Sequence, residues 1–296
     1  MELDSAVIRA LSLSPSSTSI SPRSGSGFST TAKITTTSVD GSEKHYFMKT
    51  GPGKDAAVMF QGEFISLNAI YAVVSSLCPM AHAHGQMEES PDRFFLITDF
   101  LDLSAPSSIR RGSGLSLAAK LAKLHTTPAP IPEGHSHPVF GFPATTCCGD
   151  SAQPNDYRVS WADFYAENRL LAILKKSERT NGKDAVLRSM VEKTANIITP
   201  RLLKDEHLNH GKGIIPVIIH GDLWSGNKGK GKIGSSRDVE DVVFDPSSSY
   251  SHSECELGIM NMFGGFGSSF FEEYHALCPR SEPVAEYEDR VSLYEL

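Results

Sequence analysis

Three oxygen-bearing side chains stand in an order that can do chemistry. His220-Gly-Asp222-Leu-Trp-Ser-Gly-Asn227 follows directly on the apolar run Ile214-Ile-Pro-Val-Ile-Ile219, and Asp245 comes at the end of a second short apolar run, Asp241-Val-Val-Phe244. Asp222 and Asn227 are five positions apart, so a tight loop leaving a strand can turn both toward one cleft. Carboxylate and amide oxygens accept protons or bind hard cations. The set suits Mg2+, which uses few protein ligands and completes its shell with phosphate and water. Each residue taken alone is also an ordinary turn residue. The ordered combination, at the ends of two strands, is what points to chemistry.

The elements that must position this set can be read from periodicity. Residues 26–50 read as antiparallel strands, with Asp40-Gly41 as a tight-turn signal before the strand His45-Tyr-Phe-Met-Lys49. Over 55–75, Met59, Phe60, Leu67, Ile70 and Val74 recur at helical spacing, with Asp55 as a candidate cap. Glu63 falls on that same face. A carboxylate inside an apolar stripe needs a partner or water, so it either reaches solvent or makes a buried ion pair with a lysine. Phe94-Phe-Leu-Ile-Thr98 reads as a strand running into Asp99-Phe-Leu-Asp102, and the Ser/Pro/Gly-rich 104–114 as a boundary between lobes. Residues 115–125, 161–176 and 184–203 have helical patterns, as does 257–274 with a break at Gly264-Gly265. The Ser/Thr/Gly-rich 11–42 reads as a tail or short edge strands, 128–160 as a long surface excursion, and 228–240 as a solvated basic hairpin tip.

Composition sets the outer bounds. A chain of 296 residues has room for two domains, or for one large domain in two lobes. The formal net charge of -7 argues against nucleic acid as the main partner. Five scattered cysteines without a C-x-x-C pair fit reduced thiols rather than a disulfide frame or zinc site. The start is acidic and lacks a signal-peptide core, and no apolar run approaches 18 residues, so no membrane span is expected. Together these point to a cytoplasmic protein.

The pattern H-G-D-x4-N followed by D resembles the phosphotransfer loop of the protein-kinase-like superfamily. H-G-D-L-W-S-G-N is most similar to the fructosamine and ketosamine kinases, the protein-ribulosamine 3-kinases among them. Further stretches resemble the same family in the same order: Phe47-Met-Lys49, Met59-Phe-Gln-Gly-Glu63, Asn155 with Trp161-x-x-Phe164 and Arg169-Leu170, Tyr250-Ser-His-Ser-Glu254, and Phe263-Gly-Gly-Phe266 with Phe271 and Tyr274.

The resemblance implies an α+β, two-lobed protein-kinase-like fold. Residues 1–101 would be a nucleotide-binding lobe, mostly antiparallel β with one helix. Residues 102–296 would be a larger, mostly helical catalytic and substrate lobe. It implies ATP and Mg2+ as cofactors, and phosphorylation of the O3 hydroxyl of ribulosamine or fructosamine adducts on protein lysine. Lys49 would hold the α/β-phosphates and pair with Glu63. Gly25 and Gly27 would let backbone approach the phosphates. Asp99, Phe100 and Leu101 would form the hinge that binds adenine. Asp222 would accept the substrate's proton, and Asn227 and Asp245 would hold the metal. Trp224 would pack the sugar or lie under the loop as a core residue; of Glu254 and Glu256, one would support the loop and the other face substrate. His220 is expected to brace the loop. Glycated proteins or small ketosamines are the expected partners, with neither nucleic acid nor membrane. The rival readings are a kinase of the aminoglycoside or choline type and a nucleotide-binding pseudokinase. The final Leu293-Tyr-Glu-Leu296 stands inside a helical pattern without a stop signal, and relatives continue further, so the large lobe is expected to be incomplete.

Overall fold

The computed structural model describes residues 3–26, 29–38, 40–104 and 113–296. In chain order its first elements are α1 (Ser5–Leu11), β1 (Thr18–Ser26), β2 (Ser29–Thr37), β3 (Glu43–Pro52), α2 (Gly53–Val73), β4 (Ala81–Gln86), β5 (Arg93–Asp99) and β6 (Leu101–Asp102). Then come α3 (Leu117–Thr126), β7 (Thr146–Cys148), β8 (Ser151–Gln153), α4 (Trp161–Tyr165), α5 (Ala172–Asn181), α6 (Ala185–Lys193) and α7 (Thr199–Leu203). The last are β9 (Val217–Ile219), β10 (Lys228–Ile233), β11 (Glu240–Val243), β12 (Ser249–Ser251), α8 (Cys255–Phe263), α9 (Ser268–Leu277) and α10 (Tyr287–Tyr294). They form two compact units: residues 1–117 with 227–245, and 118–226 with 246–296. This differs from a division at 101/102. Strand β6 pairs with β10, which draws 227–245 into the first unit.

In the first unit, an antiparallel sheet runs β1-β2-β3-β5-β4. Side chains alternate across it. Met48, Ala32, Ile34, Phe95 and Ile97 face one way and form a core closed by Val7 of α1. Asp4 caps α1, accepting from the Ala6 N–H at 2.9 Å, and also takes the N–H groups of Glu88 and Glu89. Lys49 faces the other way, toward α2, which packs on β4 and β5. By length and composition alone α2 could cross a bilayer; here Phe60, Leu67 and Ile70 are buried along it. The β2–β3 turn holds Gly41 at φ +80°, with Asp40 accepting from the Ser42 N–H at 3.0 Å. A three-stranded sheet β11-β10-β6 completes the unit.

In the second unit, β9 pairs with β12 and the helices pack around an aromatic core. Trp161 is fully buried and stacks with Phe164 at 5.6 Å. Its Nε1 donates to the Tyr294 hydroxyl at 2.8 Å, and the Tyr165 hydroxyl donates to the Leu293 carbonyl at 2.7 Å, so α10 is pinned to α4. Between α4 and α5 the helix widens into a π-helical segment, Ala166–Leu171. Pro216 stands just outside β9, which is why the strand starts later than the apolar run. Residues 128–160 are not simply a surface excursion: Val139, Phe140 and Phe142 are buried, and 146–153 form the β7–β8 hairpin. Likewise, 11–42 contains two nine-residue strands, and 228–240 contains all of β10, with its Lys230 paired to Asp241 at 2.7 Å.

Candidate active site

In the first unit the carboxylate on the apolar helix face has its lysine. Lys49 Nζ lies 2.7 and 2.9 Å from the two Glu63 oxygens and 2.6 Å from Asp245 Oδ1. Burial opposes the charge on Lys49, but the two carboxylates outweigh it and raise its pKa. Burial also pushes Glu63 up, to about 6, against the pull of Lys49 and with help from the second negative charge at Asp245. Asp245 is half-exposed and takes a left-handed φ of +58°, a conformation Asp tolerates better than most residues. That turn at the end of β11 aims its carboxylate back at β3. Asn227 is buried at the head of β10, and its carbonyl accepts from the Phe244 N–H at 3.0 Å. Asn227 and Asp245 thus flank the same hairpin base.

Lys49, Glu63, Asp245, Asp99 and Leu101 all line one cavity of about 300 Å3. The hinge backbone has a definite polarity. The Gly234 N–H donates to the Phe100 carbonyl at 2.9 Å, so the Leu101–Ile233 pair is of the non-hydrogen-bonded kind, and the Leu101 N–H points away from β10. The Phe100 N–H donates to the His45 carbonyl at 3.2 Å. By the same rule Asp99 opposite Tyr46 turns its carbonyl away from β3. Both polar backbone groups of Phe100 are therefore used inside the fold. The Asp99 side chain is also engaged, bonded to His82 Nε2 at 2.8 Å and accepting from the Met80 N–H at 3.2 Å. Gly25 lies in β1 where its register with β2 slips between Arg23 and Ser26; Gly27 falls outside the described residues.

In the second unit the loop after β9 is held from beneath. Gly221, at φ +81°, passes so close to the Ser247 carbonyl that a Cβ would sit 2.0 Å from that oxygen. His220 is fully buried and its Nδ1 accepts from the Asp222 N–H at 3.3 Å, so it braces the loop. Glu256 is also fully buried and takes the backbone N–H groups of His220 and Gly221, the latter at 3.0 Å. Burial works against the charge of Glu256, but these hydrogen bonds and two nearby histidines leave its pKa lowered. Glu254 is buried as well. Its oxygens take Arg290 Nε at 2.7 Å, Arg290 Nη2 at 3.1 Å and the Ser281 N–H at 2.8 Å. Both glutamates are engaged inside the fold: Glu256 carries the loop and Glu254 ties α8 to α10.

Asp222 is partly exposed, and Cys148 on β7 donates its thiol to Oδ1 at 3.4 Å. Burial and the Asp222 charge push the Cys148 pKa up to about 12, which keeps the thiol protonated. Nothing in the Cys147-Cys148 pair signalled this contact, because it depends on where the β7–β8 hairpin lands. Trp224 is no core residue. It is 37% exposed, lies over Gly226 and meets Phe263 at 5.6 Å, giving an open aromatic face two residues past Asp222.

Comparison with known proteins bears on this arrangement. The fructosamine kinase family model matches residues 15–296. Mouse ketosamine-3-kinase is 30% identical over 282 residues, covering 88% of this chain and 82% of that protein. The chloroplastic protein-ribulosamine 3-kinase of Arabidopsis thaliana is also 30% identical, covering 85% and 68%. Among solved structures, one from Thermobifida fusca, named provisionally as a fructosamine-3-kinase, superposes with a TM-score of 0.71 at 22% identity, over 99% of this chain and 90% of that one. A thermostable aminoglycoside phosphotransferase in ternary complex with AMP-PNP and hygromycin B shares the fold at a TM-score of 0.56 and 11% identity, over 99% and 88%. The protein-kinase-like α+β fold is thus common to this chain and the two solved structures. The family model, spanning nearly the whole sequence, and the two 30% relatives together make this chain a member of the fructosamine kinase family, a family of kinases.

Proposed function

We propose that the protein uses Mg-ATP to phosphorylate the O3 hydroxyl of ribulosamine or fructosamine adducts on protein lysine. The observation that carries the phosphotransfer reading is the Lys49 ammonium, bridging Glu63 and Asp245 in a buried setting. The substrate class rests on the names of the mouse and Arabidopsis relatives.

The residues fit a divalent cation and a nucleotide. A positive charge already sits 2.6 Å from Asp245 Oδ1, in the form of the lysine ammonium, so this carboxylate is placed to meet a cation. Asn227 would supply a second hard oxygen. When bound, Mg2+ supplies neutralisation of phosphate charge. Lys49, held by Glu63, orients the phosphates. The Asp99 carbonyl, which accepts from the Thr98 hydroxyl at 3.0 Å and keeps a second lone pair, and the Leu101 N–H receive the purine edge, since the Phe100 groups are spent in the fold. Gly25 borders the phosphates. Asp222 accepts the proton of the attacking hydroxyl; a carboxylate suffices because phosphoryl transfer depends more on positioning than on base strength. The Cys148 thiol donor holds that carboxylate in one orientation. Trp224 packs the sugar. In this reading the first unit holds the nucleotide and the second holds the base and the substrate.

The test is ADP release with ribulosyl-lysine and fructosyl-lysine as paired substrates. Turnover of either, abolished by Asp222→Asn and by EDTA with nucleotide binding retained in the variant, supports the reading. A folded protein that turns over neither sinks the substrate assignment. Near-normal kcat in Asp222→Asn sinks the assigned base.

A further inference from the structure

Phe100 stands in the hinge with both backbone groups used inside the fold, and its side chain has been given nothing to do. Alternation along the chain decides where that side chain goes. Asp99 and Leu101 line the cavity around Lys49, as do Thr31 of β2 and Phe47 of β3. Phe100 lines a different cavity of the first unit, of about 320 Å3. Lys33 and His45 line it too, each two residues along the same strand from Thr31 and Phe47 and so on the same face of the sheet. The hinge therefore sends successive side chains into two separate cavities.

Three neighbouring strands each send a side chain to the Phe100 ring. Lys33 Nζ, from β2, lies over it at 4.4 Å from the centroid, and the Arg23 guanidinium carbon, from β1, at 5.4 Å. The His45 ring, from β3, meets it edge-on at 6.3 Å. Both cations are close enough to be drawn to the negative face of the ring. Among the described residues Lys33 makes no ion pair within 4 Å, and its charge reaches Asp102 only from farther away. Strand β1 is where such a hold matters. It is the edge of the five-stranded sheet, with β2 as its neighbour, and its register slips directly after Arg23. Gly25 follows two residues later.

From one ring met by side chains of β1, β2 and β3, we propose that Phe100 is a positioning residue for the nucleotide: its cation–π contacts with Arg23 and Lys33 clasp the β1–β2 hairpin to the hinge and so hold Gly25 at the phosphates. The proposal rests on the nucleotide reading above. It adds a link between the hinge, which takes the purine, and the hairpin, which borders the phosphates.

The experiment measures binding of Mg-ATP and of adenosine by isothermal titration calorimetry, with no acceptor present. Phe100→Leu should raise the Kd for Mg-ATP about fivefold and leave that for adenosine within about twofold, because only the phosphates meet the hairpin. Phe100→Tyr keeps the ring and should keep the wild-type values. Lys33→Met should show part of the same loss. Combined with Phe100→Leu it should cost less than the two single losses together, since both remove one contact. Circular dichroism checks that the variants fold; should Phe100→Leu not fold, Lys33→Met and Arg23→Met carry the same comparison. Equal losses for Mg-ATP and adenosine in Phe100→Leu, or no loss for either, overturn the proposal and leave the kinase reading standing. Losses that add in full would put Lys33 on the ligand itself and overturn the clasp. A folded wild-type protein that binds neither ligand overturns the nucleotide reading, and the proposal with it.

Discussion

Replacing Glu63 by Gln should leave the protein more stable at pH 8 while removing most of its activity. Glu63 is 9% exposed, with both oxygens on Lys49 Nζ, and Asp245 shares the same ammonium. One buried positive charge thus faces two carboxylates. Burial and the second carboxylate raise Glu63 from 4.5 to about 6. A pKa raised on folding means that the protonated acid is favoured in the native state. The group's contribution to stability is full below pH 4.5 and is lost as the pH rises through about 6. The shift corresponds to about 2 kcal/mol at roughly 1.4 kcal/mol per unit. Gln has the shape of the protonated acid and cannot lose a proton. Urea denaturation from pH 4 to 8 should therefore find the two proteins nearly equal at pH 4, and the variant about 2 kcal/mol more stable at pH 8. In the ADP-release assay Lys49 would be held by Asp245 alone, and kcat/KM for ATP should fall at least about tenfold, roughly 1.4 kcal/mol. A variant that is less stable at pH 8, or that keeps the wild-type pH slope, would show that the ion pair outweighs its desolvation and would refute the reasoning.

Other perturbations probe the second unit. Gly221→Ala puts a Cβ 2.0 Å from the Ser247 carbonyl at a φ of +81°, so the loop must move; thermal melting should show a loss of about 2–4 kcal/mol, with activity gone. Glu256→Gln keeps one acceptor but turns an amide donor toward the backbone N–H groups of His220 and Gly221. It should cost about 2–3 kcal/mol in urea titration and lower kcat, and unchanged values would mean that the loop does not depend on this carboxylate. Arg290→Leu strands the buried Glu254 and should cost about 3–5 kcal/mol; adding Glu254→Leu should recover much of that, and a double variant no better than the single would contradict it.

Much of this was legible in the residues because the relevant signals are local. Glu63 on an apolar helix face demanded a partner, and the strand lysine Lys49 supplies it. The Asp40-Gly41 turn before β3 is a short-range pattern, and the break between α8 and α9 falls at Gly264-Gly265. Other features depend on contacts between distant segments, which periodicity does not encode. Helix α1 is only seven residues long and owes its place to Val7 in the sheet's core and to Asp4 binding Glu88 and Glu89. Glu254 and Glu256 carry no sequence signal that separates their roles, yet one faces Arg290 and the other the loop backbone. Helical phase put them on different sides of α8, and only the packing of α10 decided which side was which. The Cys148–Asp222 contact likewise arises from where the β7–β8 hairpin comes to rest.

The first unit is assembled from two stretches of chain, with the last part arriving late. Lys49 and Glu63 emerge from the ribosome almost together, but Asp245 lies 196 positions after Lys49. At about 5–20 residues per second, the nascent chain holds this lysine–glutamate pair for roughly 10–40 s before its third member exists. During that interval β6 also lacks its partner β10. The five-stranded sheet can form as it is made, whereas the centre around Lys49 is closed only after residues 118–226 of the second unit have been synthesised. A chain interrupted before residue 245 would therefore carry the sheet and the lysine–glutamate pair without the second carboxylate that answers the lysine.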